Sequence, residues 1–159
     1  MSEPAKGVHI AAGGFEYDRI IIPIMTQYPV EKLVILQSDT AEEYPGANKI
    51  TQHFVDKIMD NPIPVEIEDT DIYDFDSVFT KTVELIREYT SDGKQVYLNI
   101  SSAPKLALVA MMAAAYFTPD RSNVSIFYGA PEDYVVPKLF TELGLLADNG
   151  EKEINLEKM

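Results

Sequence analysis

The sequence has no cysteine and no tryptophan, and only two of its 159 residues are histidine. Without cysteine, disulfide bonds and thiolate metal sites are excluded, and nothing indicates an oxidising compartment. His9 falls within a predicted strand and His53 within a predicted helix, far apart in the pattern, so a histidine metal pair is not expected. We therefore expect the site to need neither a metal nor another cofactor.

Long hydrophobic runs are also lacking. The longest run, residues 106–117, falls short of the about 18 apolar residues that a membrane-spanning helix needs. The N-terminus MSEPAKGVHI has neither the basic start nor the apolar core of a signal peptide. We expect a cytoplasmic protein that does not act at membranes.

Basic residues are scarce. The chain has 13 lysines and arginines against 26 aspartates and glutamates, which gives a formal net charge of −13. Such a charge repels phosphate backbones, so direct DNA binding through a broad basic face is not expected. The acidity is explained either by solubility in a salty cytoplasm or by a cationic partner. Any anion site must be local, which makes the position of each lysine and arginine informative.

What the sequence does contain is a regular alternation of strand and helix patterns. A hydrophobic content of 46% with 25% charged residues predicts one globular domain over residues 1–159. Its core is expected at 7–134, and the tail 135–159 carries an Asn-Gly turn signal and a possible edge strand or hairpin. The predicted strands are 7–12, 32–36, 63–67, 95–100 and 123–128, and the predicted helices are 15–27, 48–60, 79–93 and 104–117.

This alternation predicts an α/β fold. We expect a Rossmann-like, doubly wound, mostly parallel sheet of five to six strands, with the first strand central and helices on both faces. The fourth helix, residues 104–117, is apolar on nearly every side. It is therefore expected to pack between the sheet and a second surface, which is either a partner subunit or another part of the monomer.

Ligands of such sheets bind beyond the carboxyl ends of the strands, near the point where the strand order reverses. The loops at those ends supply the candidate ligand-binding residues. They are Gly13, Gly14, Phe15, Glu16, Tyr17 and Arg19 after the first strand, Ser38 after the second, Asn99, Ser101, Ser102, Ala103 and Lys105 after the fourth, and Gly129 after the fifth.

The loop after the fourth strand has the composition of an anion site. Pro104 suits the first position of a helix, and Ser101 or Ser102 could cap the free amides. Those amides and Lys105 attract negative charge, while Asn99 and the serines offer donors to phosphate or ribose oxygens. A plain helix cap with a solvent-facing lysine explains the same spacing. The GxxxxGK[ST] pattern is absent, which disfavours a nucleoside triphosphatase.

The loop after the first strand, AAGGFEYDRI, does not match GxGxxG, so a dinucleotide coenzyme is not indicated. Its paired glycines still allow a ligand to approach the backbone closely. Phe15 or Tyr17 could stack on a base. Arg19 could act as a second cation at the site or form a salt bridge with Glu16 or Asp18.

Other catalytic patterns are weak. The chain has no GxSxG nucleophile elbow. The acidic residues between positions 66 and 76 are dense enough to suggest a Mg²⁺ site, but a solvated face and the charge preference of a helix N-terminus explain them as well.

Three segments at these loops resemble a known family. GFEYDRI (14–20), NISSAPKLALVA (99–110) and FYGAPEDY (127–134) are similar to CARF domains, the CRISPR-associated Rossmann folds. The likeness covers about residues 7–134 and is strongest to archaeal regulators in which such a domain precedes a winged helix-turn-helix. The sequence departs from the family pattern at Ala103-Pro104, where relatives often have glycine or threonine. We expect either a free-standing protein or the sensor domain of a longer regulator.

The resemblance implies a homodimer whose cleft binds a cyclic oligoadenylate, most often cyclic tetra-adenylate, in CRISPR-linked defence or transcription regulation. A ring with two-fold symmetry matches an isologous dimer, which presents each loop twice. By the same resemblance, residues 14–19 line the base and ribose, and the phosphates are held by Asn99, Ser101, Ser102 and Lys105.

These observations leave three functions to compare. The first is a ligand sensor without enzymatic activity. The second is a metal-independent ring nuclease, in which a ribose 2′-hydroxyl attacks the adjacent phosphate to give a 2′,3′-cyclic phosphate, with Lys105 and Ser101 or Ser102 stabilising the developing charge. The predicted site contains no evident general base, which favours the sensor. The third, a flavodoxin-like nucleotide-binding enzyme, is disfavoured because the phosphate-binding fingerprints are missing.

Overall fold

The computed structural model describes residues 6–13, 18–28, 30–38, 56, 62–119 and 121–129. The chain divides into a compact unit of residues 1–129 and a second unit of residues 130–159, and all described residues belong to the first. The strands are β1 (Gly7–Ala12), β2 (Val30–Gln37), β3 (Val65–Asp69), β4 (Gln95–Asn99) and β5 (Val124–Phe127), and the helices are α1 (Asp18–Thr26), α2 (Phe75–Ser91) and α3 (Lys105–Phe117).

The five described strands form one parallel sheet in the order β3-β2-β1-β4-β5. β1 pairs with β2 in a register that aligns His9 with Leu33, and with β4 in a register that aligns Ala11 with Asn99. The chain first extends the sheet on one side of β1 and then on the other, so the strand order reverses between β1 and β4. The predicted Rossmann-like α/β fold with a central first strand is confirmed. Folds of this class bind ligands in the crevice beyond the carboxyl ends of the strands at this reversal, which here are β1 and β4.

Helices cover both faces of the sheet, as predicted. On one face, Ile20 and Ile24 of α1 pack against Leu33 of β2. On the other face, Ile86 of α2 and Met111 of α3 belong to the core that includes the opposite side chains of the strands. Because successive strand residues point to opposite faces, each central strand contributes to both cores.

α2 begins earlier than the predicted range of 79–93. The Asp74 carboxylate accepts a hydrogen bond from the Ser77 N–H at 2.8 Å, so the helix is capped there and starts at Phe75. It ends as expected, because Gly93 has a φ of 73°, a conformation that favours glycine. The acidic stretch before this helix thus supplies its N-cap residue, Asp74.

Two other predicted elements differ from the structure or lie beyond it. The third strand was predicted at 63–67 but runs from Val65 to Asp69, because Pro64 lacks the N–H that a paired strand position donates. The predicted helix at 48–60 lies outside the described residues except for Asp56, which is helical. The tail 135–159 and its predicted edge strand also lie outside them, so the prediction of a single domain over residues 1–159 stays a prediction.

α3, the predicted fourth helix, is buried on one side only. Pro104 is its N-cap residue with an extended ψ of 149°, so the prediction that Pro104 occupies the first helical position is wrong by one residue. The helix buries Ala107, Ala110 and Met111 but exposes Met112 to solvent. Among the described helices, none is long and apolar enough to cross a membrane.

Candidate functional site

Asn99, the last residue of β4, joins three segments beside the crevice. It is fully buried, and its Nδ2 donates to the Arg19 carbonyl oxygen at 2.8 Å and contacts His9 Nε2 at 3.0 Å. Its Oδ1 accepts a hydrogen bond from the Ser101 N–H at 2.9 Å. We call Asn99, His9, Arg19 and Ser101 the Asn99 network. It fixes the end of β4 to β1 and to the beginning of α1.

His9 is a neutral member of this network. It is fully buried, and desolvation lowers its pKa to about 3. Because the Asn99 Nδ2 group can only donate, His9 Nε2 is the acceptor and the ring proton resides on Nδ1. Within the described part of the chain Nδ1 has no hydrogen-bond partner, and the ring meets Phe127 edge to face with centroids 5.4 Å apart. His9 therefore acts as an internal acceptor in this structure.

The two serines of the β4–α3 loop connect it to the strands on both sides. Ser101 Oγ accepts from the Gly129 N–H at 2.7 Å, and Ser102 Oγ donates to the Ala12 carbonyl at 3.0 Å. Within the described ranges, no side chain caps the N-terminus of α3. The prediction that Ser101 or Ser102 caps this helix is therefore wrong, because both hydroxyls are engaged by neighbouring backbone groups at the ends of β5 and β1.

Arg19 lies in the first turn of α1, at the same crevice. Its Nη1 donates to the Ser101 carbonyl at 3.0 Å, so α1 and the β4–α3 loop are connected both through this bond and through Asn99. The loop is thus held rigidly by a cation and by neutral hydrogen bonds. A direct contact of Arg19 or Asn99 with a ligand stays a prediction.

Lys105 is the first residue of α3 and is exposed. With the residues that the structure describes it forms no ion pair and no hydrogen bond, and the first turn of α3 contains no acidic residue. The amides of a first helical turn have no partner within the helix and carry the positive end of its dipole. Ala103, just before them, packs its half-buried side chain against the core. The N-terminus of α3 therefore combines free amide donors with one full positive charge, after the carboxyl end of β4.

Gly13 brings the end of β1 close to the end of β2. Its N–H donates to the Leu36 carbonyl at 2.7 Å. A Cβ atom at this position would lie 3.3 Å from the Leu36 carbonyl oxygen and 3.3 Å from Gln37 Oε1. The glycine therefore lets the backbone of β1 lie close to β2 at this point, and the approach of a ligand here stays a prediction.

Ser38 belongs to a different part of the same edge. Its hydroxyl donates to the Thr70 carbonyl at 3.1 Å and accepts from the Ile72 N–H at 3.3 Å. These bonds connect the ends of β2 and β3 and do not involve the β4–α3 loop. The remaining candidates of the first loop lie outside the described residues; they are Gly14, Phe15, Glu16 and Tyr17.

Several of the acidic residues between 66 and 76 have individual partners. Glu66 pairs with Lys32, Glu68 lies 3.2 Å from Lys81, and Asp74 caps α2. In the described part of the chain, no group of three or more histidine or carboxylate residues could hold a metal ion.

From the sequence, His9 was considered only as one half of a metal pair, and its connection to Asn99 was not found. The register that aligns His9 with Tyr97 places both side chains on the sheet face that Asn99 also uses. Alternation within each strand was visible in the sequence, but the alignment of β1 with β4 was not.

The fold defines a class: a Rossmann-like α/β domain, in which an exposed lysine begins the helix that follows β4 at the point where the strand order reverses. A family model described as "HFX_2341_N:-like, N-terminal" matches residues 7–134 of the chain. The chain belongs to this family.

Two further similarities were found. The uncharacterized protein MJ1513 of Methanocaldococcus jannaschii is 26% identical over 130 residues, which cover 79% of this chain and 38% of that protein. The structure of Can2 from Sulfobacillus thermosulfidooxidans, solved in complex with cyclic tetra-adenylate, matches with a TM-score of 0.57 at 12% identity. That match covers 76% of this chain and 31% of Can2, and it shows a shared fold. The matched part of this chain thus spans 38% of the length of MJ1513 and 31% of the length of Can2.

Proposed function

We propose that this chain is a CARF-like sensor domain that binds a cyclic oligoadenylate, cyclic tetra-adenylate in the first instance, in a cleft between two copies. The observation that carries the proposal is Lys105, an exposed cation at the uncapped N-terminus of α3. It lies where the order of the sheet reverses. In a chain with a net charge of −13, a helix end of this kind is a local site for phosphate.

The surrounding geometry supports the proposal. The β4–α3 loop is held by the Asn99 network and by the bond from Ser102 to Ala12. A loop fixed in this way presents its donors without a further ordering cost when an anion binds. The fold shared with Can2, a protein solved in complex with cyclic tetra-adenylate, and the resemblance of residues 14–20 and 99–110 to CARF domains point to the same ligand class.

The two-fold symmetry of such a ring gives the proposed site its dimeric form. One copy supplies a single Lys105 and a single α3 N-terminus, whereas an isologous dimer supplies two of each to opposite sides of the ring. The binding energy would then be passed to a further domain or partner that regulates CRISPR-linked defence or transcription.

The proposal is tested by titrating the full chain with cyclic tetra-adenylate in a calorimeter. We expect binding, and we expect Lys105→Ala to weaken it by about tenfold or more, since a charge-assisted contact to phosphate is lost. Lys94→Ala is the matched control, because Lys94 is a half-exposed lysine that pairs with Glu31 at the opposite edge of the sheet. It should leave the affinity unchanged. Absence of binding to cyclic tri-, tetra- and hexa-adenylate alike would overturn the proposal.

The ring-nuclease alternative is separated by following the ligand over time. The two serines and the histidine do not favour it, because the Ser101 and Ser102 hydroxyls already bond backbone groups and His9 is buried in the Asn99 network. We expect the ring to be recovered intact. Recovery of linear fragments ending in a 2′,3′-cyclic phosphate, with loss of that product in Lys105→Ala, would replace the sensor by the nuclease.

A further inference from the structure

Two tyrosine rings of the described chain face solvent, and one of them lies beside the candidate site. Tyr128, which follows β5, is 55% exposed, and Tyr73, in the segment between β3 and α2, is 71% exposed. With the residues that the structure describes, neither ring makes an aromatic contact and neither hydroxyl makes a hydrogen bond. An exposed tyrosine is common on protein surfaces, so the position of each ring decides whether a ligand can use it.

The backbone on both sides of Tyr128 is fixed to the β4–α3 loop. The Phe127 carbonyl accepts a hydrogen bond from the Ile100 N–H at 3.2 Å. The Gly129 N–H donates to Ser101 Oγ at 2.7 Å. A carbonyl and then an amide directed to the same neighbour is the pattern of a paired parallel strand, so the chain after β5 still runs along β4. Tyr128 therefore carries its ring on a backbone that is already ordered, which lowers the entropy cost of binding through it.

Tyr128 is placed on the side of the sheet that α3 covers. Phe127 belongs to the core on the α1 side, whereas Ile126 lines a groove together with residues of α3. Because successive residues of an extended chain alternate between faces, Tyr128 follows Ile126. The strand β5 is next to β4 in the sheet, and neighbouring strands lie about 4.8 Å apart. The ring and Lys105 thus follow the carboxyl ends of two adjacent strands, on the same face.

Tyr73 provides the contrast. It follows β3, which lies three strand spacings from β4, or about 14 Å. The two tyrosines therefore share exposure and lack of a described partner but differ in their distance from the β4–α3 loop.

We propose that Tyr128 stacks on a base of the bound nucleotide while a phosphate lies at Lys105 and the N-terminus of α3. The inference rests on the proposed function and adds to it the residue that meets the base. In a nucleotide a single ribose separates base and phosphate, so a base partner must lie close to the phosphate site, as Tyr128 does. Stacking on an aromatic ring favours nucleotides over plain anions, and since every base has a π face it does not select among bases.

The absence of tryptophan makes a direct test possible. Tyr128→Trp, prepared in the full chain, introduces one indole whose emission is excited apart from that of the tyrosines. The variant is titrated with cyclic tetra-adenylate, with adenosine monophosphate and with ribose 5-phosphate. We expect both adenine compounds to quench the emission in a saturable way, because a stacked base contacts the indole. Ribose 5-phosphate has no base and should leave the emission unchanged. Tyr73→Trp is the matched control and should respond to none of the three.

A second measurement does not depend on fluorescence. Tyr128→Ala should weaken the binding of cyclic tetra-adenylate in the calorimeter by at least about fivefold, the lower bound for the loss of one stack between a base and an aromatic ring. Tyr128→Phe keeps the ring and should bind like the native chain, and Tyr73→Ala should also leave the affinity unchanged. The thermal unfolding of Tyr128→Ala should match that of the native chain, because the exposed side chain has no described partner.

The outcomes separate this inference from the proposed function. Native affinity in Tyr128→Ala, with constant emission of Tyr128→Trp while the ring binds, would overturn the inference and leave the proposed function standing. A loss of affinity in Tyr128→Ala that Tyr128→Phe does not restore would assign the contact to the hydroxyl and overturn stacking. Quenching of Tyr128→Trp by adenosine monophosphate, in a chain that binds no cyclic oligoadenylate, would keep the stacking residue and reject the proposed function alone.

Discussion

The amino ends and the carboxyl ends of the parallel strands differ in how their lysines are used. We call these two sides of the sheet the amino edge and the carboxyl edge. At the amino edge, Lys32 pairs with Glu66 and donates to the Tyr89 hydroxyl at 3.3 Å, while Lys94 pairs with Glu31 at 2.5 Å. Both ammonium groups also lie within 6 Å of the Tyr89 ring centre, at 5.5 and 5.9 Å. The hydrogen bond to Glu66 raises the pKa of Lys32, and the hydrogen bond to Glu31 raises that of Lys94.

At the carboxyl edge, order comes mainly from uncharged groups. The Asn99 network and the two serine hydroxyls satisfy the backbone of the β4–α3 loop, and Lys105 has no acidic residue in its helical turn. In an acidic protein, a cation that is not neutralised by a neighbour is available to a ligand. The comparison teaches that the amino edge uses its lysines in ion pairs, whereas the carboxyl edge is held by hydrogen bonds, one of them from Arg19, and keeps Lys105 accessible.

The strongest expected effect is at the carboxyl edge. Asn99→Ala would leave His9 Nε2, the Arg19 carbonyl and the Ser101 N–H without their partner. We expect it to lower the free energy of unfolding by about 3 kcal/mol, since each buried group left unpaired costs about 1–3 kcal/mol. Urea unfolding followed by circular dichroism measures the loss.

The matched variant at the amino edge is Glu31→Ala, which removes one exposed ion pair and should cost at most about 1 kcal/mol. If the two variants lost equal stability, the Asn99 network would not be what orders the carboxyl edge.

The second prediction concerns pH. His9 has a pKa of about 3 in the folded protein against an ordinary value of 6.5. Below pH 6.5 His9 binds a proton in the unfolded chain but not in the folded chain. The contribution of neutral His9 to the free energy of unfolding is therefore fully present above pH 6.5 and decreases as the pH falls toward 3. At pH 5 the loss relative to pH 7.5 is expected to be about 2 kcal/mol, at about 1.4 kcal/mol per pH unit.

His9→Gln keeps an acceptor for Asn99 but does not titrate, so it isolates the histidine. As the pH is lowered from 7.5 to 5, the native chain should lose more of its free energy of unfolding than the variant does. Parallel pH profiles for the two proteins would mean that His9 is already hydrated or charged in the folded state.

The smallest expected effects compare one lysine from each edge. Lys32→Ala should reduce the free energy of unfolding by about 1 kcal/mol, because a half-exposed ion pair and its hydrogen bond are lost, and the difference should decrease at high salt. Lys105→Ala should change it by less than about 0.5 kcal/mol, as expected for an exposed residue without partners. Thermal and urea unfolding at low and high salt check both values. A Lys105→Ala variant that is destabilised more than Lys32→Ala would show that Lys105 has a structural role.

Much of the fold could be predicted because it is expressed locally. A continuous apolar run such as KLVIL is typical of a strand buried on both faces, and its alternation with amphipathic segments leaves few possible connections. The first and last residues of the helices and strands were harder to predict from the sequence. α2 begins at Phe75 only because the Asp74 carboxylate reaches the Ser77 amide, a contact that several other acidic residues of the same stretch could equally have made.

The position of the candidate residues in the fold could be predicted, but their hydrogen bonds could not. Lys105 and the serines follow the fourth strand in the sequence, so their position at the carboxyl edge follows from the fold class. The partner of Ser102 is the carbonyl of Ala12, 90 positions away. No local pattern indicates this bond, and the nearer option, a helix cap, was the natural prediction.

The sequence by itself therefore determined the class of fold, the acidic surface and the edge of the sheet at which a cation meets a helix end, because each of these depends on composition or on short-range periodicity. Only the tertiary structure decided that Asn99 and His9 meet and that the serines bond neighbouring strands. It also decided that one apolar side of α3 remains uncovered in the described chain. The reason is physical: those features depend on the register between strands that are distant in sequence, and register is fixed by the packing of the whole sheet.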